Sequence, residues 1–378
     1  MRIAFLSPPP NLSGGERVVS TYAKLLAARG HQVSVICSQP DRPTWTRCFK
    51  NLLRGRRWPR RNVIGDSHYE NDGIDYRVVD HTGPILQSDV PASDVVIATF
   101  FTTAEWLANI QAGGATKVYF IQGDDARSMG DGALGTRARA TLDLPYYRIV
   151  VSNWLLRLPK SPAVPDVVVV PNSVDLRLFD APRRGKQERP TLGFMYCTTH
   201  FRGYDVTLQA ITLLKRQFPN LQIRSFGAKA PSQDFQLPDG CAFLHRPPQQ
   251  QLAATYASCD CWLFSSRYEG FGLPILEAMA SRTPVAATAA GAAPEIIAKG
   301  GGLMAPIDDA EALAMAAAEI LQMSDAKWQE LSDQAYDIAS SYTWEDATDL
   351  FESALTAAVR GEWEQYAEQT PPPQPAAR

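Results

Sequence analysis

Apolar residues in this chain fall into short continuous runs, separated by longer stretches in which they recur at helical spacing. Ile3-Ala4-Phe5-Leu6 reads as a first strand. Glu16 to Arg29 then places Val18, Val19, Tyr22, Leu25 and Leu26 on one face of a helix, Gly30 stops it, and Val33-Ser34-Val35-Ile36-Cys37 is the next strand. Further strand-like runs follow at Tyr76-Arg77-Val78-Val79, Asp94-Val95-Val96-Ile97-Ala98, Lys117-Val118-Tyr119-Phe120-Ile121, Arg148-Ile149-Val150-Val151 and Val167-Val168-Val169-Val170. Continuous apolar strands alternating with helical stretches such as Thr103 to Ile110 predict a parallel sheet covered on both faces. Ligands of such sheets bind beyond the C-terminal strand ends. That rule marks Ser7 to Gly15, Phe100 to Thr103, Gln122 to Arg127 and Ser152-Asn153.

The same alternation restarts after Arg183-Arg184-Gly185-Lys186-Gln187-Glu188-Arg189-Pro190, a polar stretch that reads as a linker. Thr191 to Cys197 is a strand, a helix follows Gly203, Leu221 to Phe226 is a strand, and Gln249 to Ala257 is a helix. Cys261-Trp262-Leu263-Phe264 is a buried strand that ends at Ser265-Ser266, and Arg267-Tyr268-Glu269-Gly270-Phe271-Gly272-Leu273-Pro274 leads into Ile275-Leu276-Glu277-Ala278-Met279-Ala280. Gly270 and Gly272 permit a tight turn and close approach of a ligand, and Pro274 suits the first turn of a helix. The resulting strand, glycine loop and helix present amides that suit a phosphate. Glu269 and Glu277, spaced Glu-x7-Glu, add acceptor-only carboxylates beside it. Phosphates on one side and hydroxyls on the other describe a sugar nucleotide. Helices are expected at Asp309 to Gln322, Asp325 to Ser340 and, opened by Trp344, Glu345 to Arg360, with residues 363–378 as a disordered tail.

The run Glu-Gly-Phe-Gly-Leu-Pro-x-Leu-Glu-Ala-Met-Ala, followed by Thr283-Pro284-Val285-Ala286 and Gly291-Ala292-Ala293-Pro294-Glu295, resembles the donor-site signature of the family 4 retaining glycosyltransferases. Pro171-Asn172-Ser173-Val174-Asp175 through Phe179 is similar to the tract that ends the first domain in that family. The Tyr119 to Asp125 tract resembles a run in bacterial surface-polysaccharide members, some of them rhamnosyltransferases. The resemblance implies the GT-B fold: two Rossmann-like α/β/α domains facing an interdomain cleft, with a C-terminal helix crossing back to the first domain. Its boundaries here are 1–182 for the acceptor-side domain, with the 344–360 helix packing back, and 190–343 for the nucleotide-sugar domain.

The resemblance also assigns roles. Arg202 in Arg202-Gly203-Tyr204-Asp205 stands where the family has a lysine on the donor diphosphate, and its planar fork can hold two phosphate oxygens. Glu269 is placed on the transferred sugar, Glu277 on ribose hydroxyls, and the amides of Phe271, Gly272 and Leu273 on the phosphates. Gly14-Gly15 resembles the loop that faces donor phosphate and acceptor, with Gly15 as the contact; a simple glycine turn is the other reading. Gln122, Asp124 and Asp125 are acceptor-side candidates, the two aspartates being readable also as solvated carboxylates. Two positions depart from the family pattern: Cys197 stands where a second phosphate-binding arginine is usual, with His200, Arg224 or Arg246 as substitutes, and Gln122 where many members carry a histidine.

Bulk properties narrow the picture. A chain of 378 residues favours two domains. A formal net charge of -3 gives no general attraction to nucleic acid. Six scattered cysteines suit buried thiols better than a disulfide framework or a zinc site. No Asp-x-Asp occurs, so neither metal nor other cofactor is expected. The first apolar run is too short for a signal peptide or a membrane span, which predicts a cytoplasmic protein. Residues 42–61 carry Arg42, Arg47, Lys50, Arg54, Arg56, Arg57, Arg60 and Arg61 without one acid, interleaved with Trp45, Phe49, Leu52, Leu53 and Trp58. That mixture suits an anionic membrane surface; a solvated loop whose apolar residues cap the domain is the alternative.

The expected activity is retaining transfer of a hexosyl or deoxyhexosyl group from a nucleotide-diphosphate sugar to a glycan or lipid-linked acceptor in cell-surface polysaccharide synthesis. A sugar-nucleotide hydrolase or epimerase of the same fold and a non-catalytic sugar-nucleotide binder are the alternatives.

Overall fold

The computed structural model describes residues 1–40 and 67–370. The cationic stretch 42–61 and the end of the chain, 371–378, lie outside the described residues. Two compact units result, one comprising Met1–Val151, Leu156–Val170 and Thr348–Pro372, the other Ser152–Leu155 and Pro171–Ala347.

The first unit is built on seven strands, β1 (Arg2–Ser7), β2 (Gln32–Cys37), β3 (Tyr76–Val78), β4 (Val95–Ala98), β5 (Thr116–Ile121), β6 (Tyr147–Val150) and β7 (Val167–Val169), all in parallel pairs in the order β3-β2-β1-β4-β5-β6-β7. Phe5 of β1 registers with Val35 on one side and Ile97 on the other. The Gly14–Ala28 helix starts two residues earlier than its apolar face suggests, because Ser13 caps it by accepting from the Glu16 amide. It buries Val18, Val19, Tyr22 and Leu26. The Trp344–Arg360 helix begins in the second unit, and from Thr348 onward it belongs to the first. There Phe351 stacks on Tyr22 with ring centroids 4.3 Å apart, and Glu352 accepts from Arg29 and His31 at 2.8 Å each. Burying a side chain such as Phe351 contributes about 2–3 kcal/mol.

The second unit has six strands, β8 (Thr191–Met195), β9 (Gln222–Gly227), β10 (Cys241–His245), β11 (Cys261–Phe264), β12 (Val285–Thr288) and β13 (Gly302–Ala305), again parallel, in the order β10-β9-β8-β11-β12-β13. Trp262 of β11 is fully buried between Phe226 and Tyr256, with centroids at 5.4 and 4.2 Å.

Three expectations are corrected. The stretch 183–190 is not a free linker. Arg184 lies over the Trp328 ring and donates to the Cys259 carbonyl and Thr283 Oγ1, while Lys186 Nζ donates to the Leu321 and Met323 carbonyls at 2.6 and 2.9 Å. The fully buried Asp260 takes the Gln187 and Thr191 amides at 2.8 and 2.9 Å, which offsets the cost of burying a carboxylate. The first unit gives way to the second at Pro171 rather than at 182, since Phe179 packs on Tyr256 and its carbonyl accepts from Ser281. Within the expected disordered tail, Trp363–Gln369 is a helix. Trp363 is buried, packs on Tyr147 at 4.9 Å and donates to the Asp166 carbonyl at 2.7 Å. One large indole with a satisfied N–H outweighs the polar composition around it.

Candidate functional site

In each sheet the strand order reverses beside the first strand of its unit, between β1 and β4 and between β8 and β11. Such switch points are where α/β sheets bind ligands. Arg202 follows β8 and Glu269 follows β11, so both residues lie beyond the C-terminal ends of the two strands that flank the second switch point.

The chain after β8 makes a short turn, His200–Arg202, then enters the Tyr204–Gln217 helix through Gly203. Gly203 sits at φ 63°, and a Cβ there would lie 2.0 Å from the Ser265 carbonyl oxygen. No other residue fits. That close approach brings Ser265 within reach of the turn: its Oγ donates to the Arg202 carbonyl at 3.1 Å and pairs with Thr207 Oγ1 at 2.6 Å. The chain after β11 enters the Leu273–Ala280 helix through Gly272 at φ 101°, with Pro274 in its first turn. Each helix has glycine at its N-cap and so no capping side chain there, although the Asp205 carboxylate accepts from the Asp205 and Val206 amides in the first turn of the Tyr204–Gln217 helix. Their first amides lack intrahelical acceptors, and their dipoles favour an anion.

Across this pair of turns Arg202 Nη1 donates to Glu269 Oε1, and Ser266 Oγ donates to the same oxygen at 2.9 Å. The Arg202 side chain is 25% exposed and that of Glu269 9%. Glu277 is buried one turn into its helix, where Oε2 accepts from Tyr256 OH at 2.8 Å. Phe271 is buried and its carbonyl accepts from the Ala292 amide at 2.9 Å, tying the glycine loop to the Gly291-Ala292 turn. The Gly270 carbonyl accepts from Ser152 Oγ at 2.6 Å and Trp154 Nε1 at 2.8 Å. Glu295 reaches the Trp154 amide at 3.3 Å, which gives it a supporting place.

Sequence reasoning missed Arg267. Its guanidinium forks onto Asp205 at 3.0 and 2.6 Å, donates to the His200 carbonyl at 2.6 Å and to Asp308, and its amide donates to the Phe201 carbonyl at 2.7 Å. Hydrogen bonding from Arg267 holds the Asp205 carboxyl below its usual range. Asp308 sits in the left-handed region at φ 62°. Arg267 therefore fixes the turn that carries Arg202. Cys197 makes a 3.4 Å contact with Thr199 Oγ1, and of its suggested substitutes Arg246 is turned onto the Ala228 carbonyl at 3.1 Å.

The remaining candidates belong to the first unit. Gly15 lies inside the Gly14–Ala28 helix, and a Cβ on it would sit 3.6 Å from Gln122 Oε1. Asp124 caps the Asp125–Met129 helix by accepting from the Arg127 amide at 2.9 Å. Asp125 accepts from the Phe101 amide at 2.9 Å and from Tyr119 OH at 3.4 Å, and burial pushes its carboxyl up to about 7. In the same unit Glu16, also unforeseen, is buried and accepts from the Asn11 and His68 amides and Ser67 Oγ; burial raises its pKa. Among the described residues no cluster of three or more His, Cys, Asp or Glu has the arrangement of a metal site, and no helix is long and apolar enough to cross a membrane.

The family model of the glycosyl transferases group 1 matches residues 180–337, which contain Arg202, Glu269 and Glu277. That span falls within the second unit, which is similar there to the glycosyl transferases group 1. D-inositol 3-phosphate glycosyltransferase of Corynebacterium urealyticum is 28% identical to this chain over 194 residues, 46% of each chain. O-antigen chain mannosyltransferase B of Escherichia coli is 35% identical over 108 residues, 28% of this chain and 27% of that one. The chain thus spans less than half the length of these curated relatives. Among solved structures, Anabaena HepE in complex with UDP-glucose superposes with a TM-score of 0.71 at 18% identity, covering 94% of this chain and 100% of that one. Sucrose-phosphate synthase from Thermosynechococcus elongatus gives 0.68 at 19% identity, with the same shares covered. Both show that the fold, two Rossmann-like units, is GT-B. Within the matched span the Arg202–Glu269 pair and the two glycine-led helix starts occupy the switch point of the sheet.

Proposed function

We propose that this protein is a retaining glycosyltransferase that moves a hexosyl or deoxyhexosyl group from a nucleotide-diphosphate sugar to a hydroxyl of a glycan or lipid-linked acceptor, in cell-surface polysaccharide synthesis. The observation that carries the reading is the meeting of Arg202, Glu269 and two glycine-led helix starts at one switch point within the span that matches the group 1 family model. Breaking the anomeric bond builds positive charge on the sugar and negative charge on the departing diphosphate. Arg202 and the amides of Phe271, Gly272 and Leu273 stabilise the second charge, and no metal is needed for that step in this reading. Glu269 accepts from hydroxyls of the transferred sugar, and Glu277 from the ribose. The leaving phosphate takes the acceptor proton. Gly15 is assigned to the donor, Gln122, Asp124 and Asp125 to the acceptor, and the cationic stretch 42–61 to an anionic membrane on the cytoplasmic side. The curated relatives that act on lipid or glycan acceptors by name, such as the phosphatidyl-myo-inositol mannosyltransferase of Mycolicibacterium smegmatis, support the acceptor class.

The test is incubation of the purified protein with a panel of labelled sugar nucleotides and a membrane extract. Label transferred to lipid or glycan is the expected result. Free sugar or an isomer formed without acceptor would identify a hydrolase or epimerase, and absence of turnover with every donor would leave a binder.

A further inference from the structure

The ion pair between Arg202 and Glu269 has a consequence for the order of events in the site. The side chain assigned to the diphosphate and the one assigned to the transferred sugar are joined to each other, and Ser266 Oγ holds the carboxylate in place at 2.9 Å. A guanidinium that gives a donor N–H to a carboxylate has less to give a phosphate. The pair is mostly shielded from water, with side-chain exposures of 25% and 9%, so solvent weakens it less than an open surface pair. The neighbouring cation offers no relief, because Arg267 is taken up by Asp205, Asp308 and the His200 carbonyl. Around the turn two arginines therefore face three carboxylates, and Cys197 adds no charge.

We propose that Glu269 is an internal anion that occupies the phosphate's place on Arg202, and that a nucleoside diphosphate binds by displacing it. The proposal rests on the glycosyltransferase reading of this site and adds a second role for Glu269. With donor bound, the displaced carboxylate is released towards the sugar hydroxyls while Arg202 turns to the diphosphate. When the sugar has gone, Glu269 has no hydroxyl partners and returns to Arg202, expelling the nucleoside diphosphate. Glu269 thus lowers affinity for the nucleotide product while raising turnover. A residue that merely props the loop would lower both.

The experiment is calorimetric titration of the full-length protein with UDP, GDP and ADP, comparing wild type, Glu269→Gln and Ser266→Ala. Glu269→Gln keeps the shape and removes the charge, and is expected to bind the preferred diphosphate about three- to tenfold more tightly, the scale of a shielded ion pair, while its transfer rate falls. Ser266→Ala removes the hydroxyl that holds Glu269 and is expected to shift affinity in the same direction by a smaller factor. It keeps the test open should Glu269→Gln fold poorly. Equal or weaker diphosphate affinity in both variants, with wild type binding, overturns the exchange and leaves the activity standing. If wild type binds none of the three and neither variant does, the site reading fails and the exchange with it.

Discussion

Tyr256 and Glu277 meet in the interior of the second unit, the phenol donating to the carboxylate at 2.8 Å. Tyr256 is fully buried and its ring packs on Trp262, so the hydroxyl is held from behind. Tyr256→Phe keeps that ring contact and removes one partner of a buried carboxylate, a loss of about 1.5–3 kcal/mol. If Glu277 orients on ribose hydroxyls, the donor KM should rise at least about tenfold, since each step of about 1.4 kcal/mol is a factor of ten, with kcat nearly unchanged. Steady-state kinetics with the preferred donor checks this. A fall in kcat at constant KM would instead place Glu277 in the chemical step.

Arg267 connects three parts of one unit: the Arg202 turn, the first turn of the Tyr204–Gln217 helix at Asp205, and Asp308 after β13. Its removal takes the guanidinium partner from Asp205 in the proposed donor site and lets the Arg202 turn drift. Misplacement of a positioning group costs up to about 10²-fold in rate. Arg267→Ala should lower kcat/KM by about ten- to a hundredfold, whereas Arg267→Lys, which retains charge but not the fork, should fall between it and wild type. Equal activities for all three would remove Arg267 from the site.

Asp125 gives the first unit a pH dependence. Burial raises its carboxyl to about 7, against an unfolded value near 4. The folded state therefore holds a proton that the unfolded state has lost between those values. The stability from the protonated group is fully present below about pH 4, declines by up to about 1.4 kcal/mol per pH unit, and is gone above about pH 7. Asp125→Asn keeps an acceptor for the Phe101 amide and cannot ionise. Relative to wild type it should gain stability as pH rises from 4 to 8 in urea titrations. A constant difference across that range would show that Asp125 does not titrate there.

Much of this architecture is legible in the sequence, for a physical reason. Strands β4 and β11 are buried at every position, so they appear as unbroken apolar runs. Strands β10 and β13 lie at the sheet edges and are partly exposed, and their short apolar runs, Cys241 to Leu244 and Leu303 to Ala305, are not singled out by the sequence pattern. The glycine loop is legible because its conformation is local, with Gly272 at a φ that other residues avoid. Arg267 was not, because its partners Asp205 and Asp308 lie 62 and 41 positions away and only the folded sheet brings them together. The same holds for Arg184, whose charge suggested a solvated linker and whose guanidinium instead covers Trp328. Glu269 and Glu277 stand out in the sequence through the Gly-Phe-Gly-Leu-Pro motif between them, but their partners Arg202 and Tyr256 follow from which strands are neighbours.

Arg202→Ala tests the electrostatic assignment directly. Removing one donor to a developing charge typically costs about 10²–10³ in turnover. Turnover should fall by that factor and nucleoside diphosphate affinity should fall with it. Because the reading gives neutralisation of the leaving group to Arg202 and to main-chain amides, activity after exhaustive treatment with EDTA should equal activity with added magnesium. A strict requirement for a divalent cation would move that role away from the protein.

Residues 42–61 carry eight cations and no acid, interleaved with Trp45, Phe49, Leu52, Leu53 and Trp58. A surface of anionic lipid attracts each such cation by about 1 kcal/mol, and the aromatic and aliphatic side chains suit the headgroup boundary. The energies of separate cations add when each reaches the surface. Changing Arg54, Arg56 and Arg57 together to glutamine should therefore reduce partitioning onto phosphatidylserine vesicles by about two orders of magnitude. Binding to phosphatidylcholine vesicles should be weak for both proteins, and raised salt should erase the difference as counterions screen the surface. Transfer to a soluble acceptor analogue should stay at the wild-type rate, because none of the three residues is assigned to the donor site. Unchanged partitioning of the triple variant would restrict this stretch to a role within the protein itself, with its apolar residues covering the first unit.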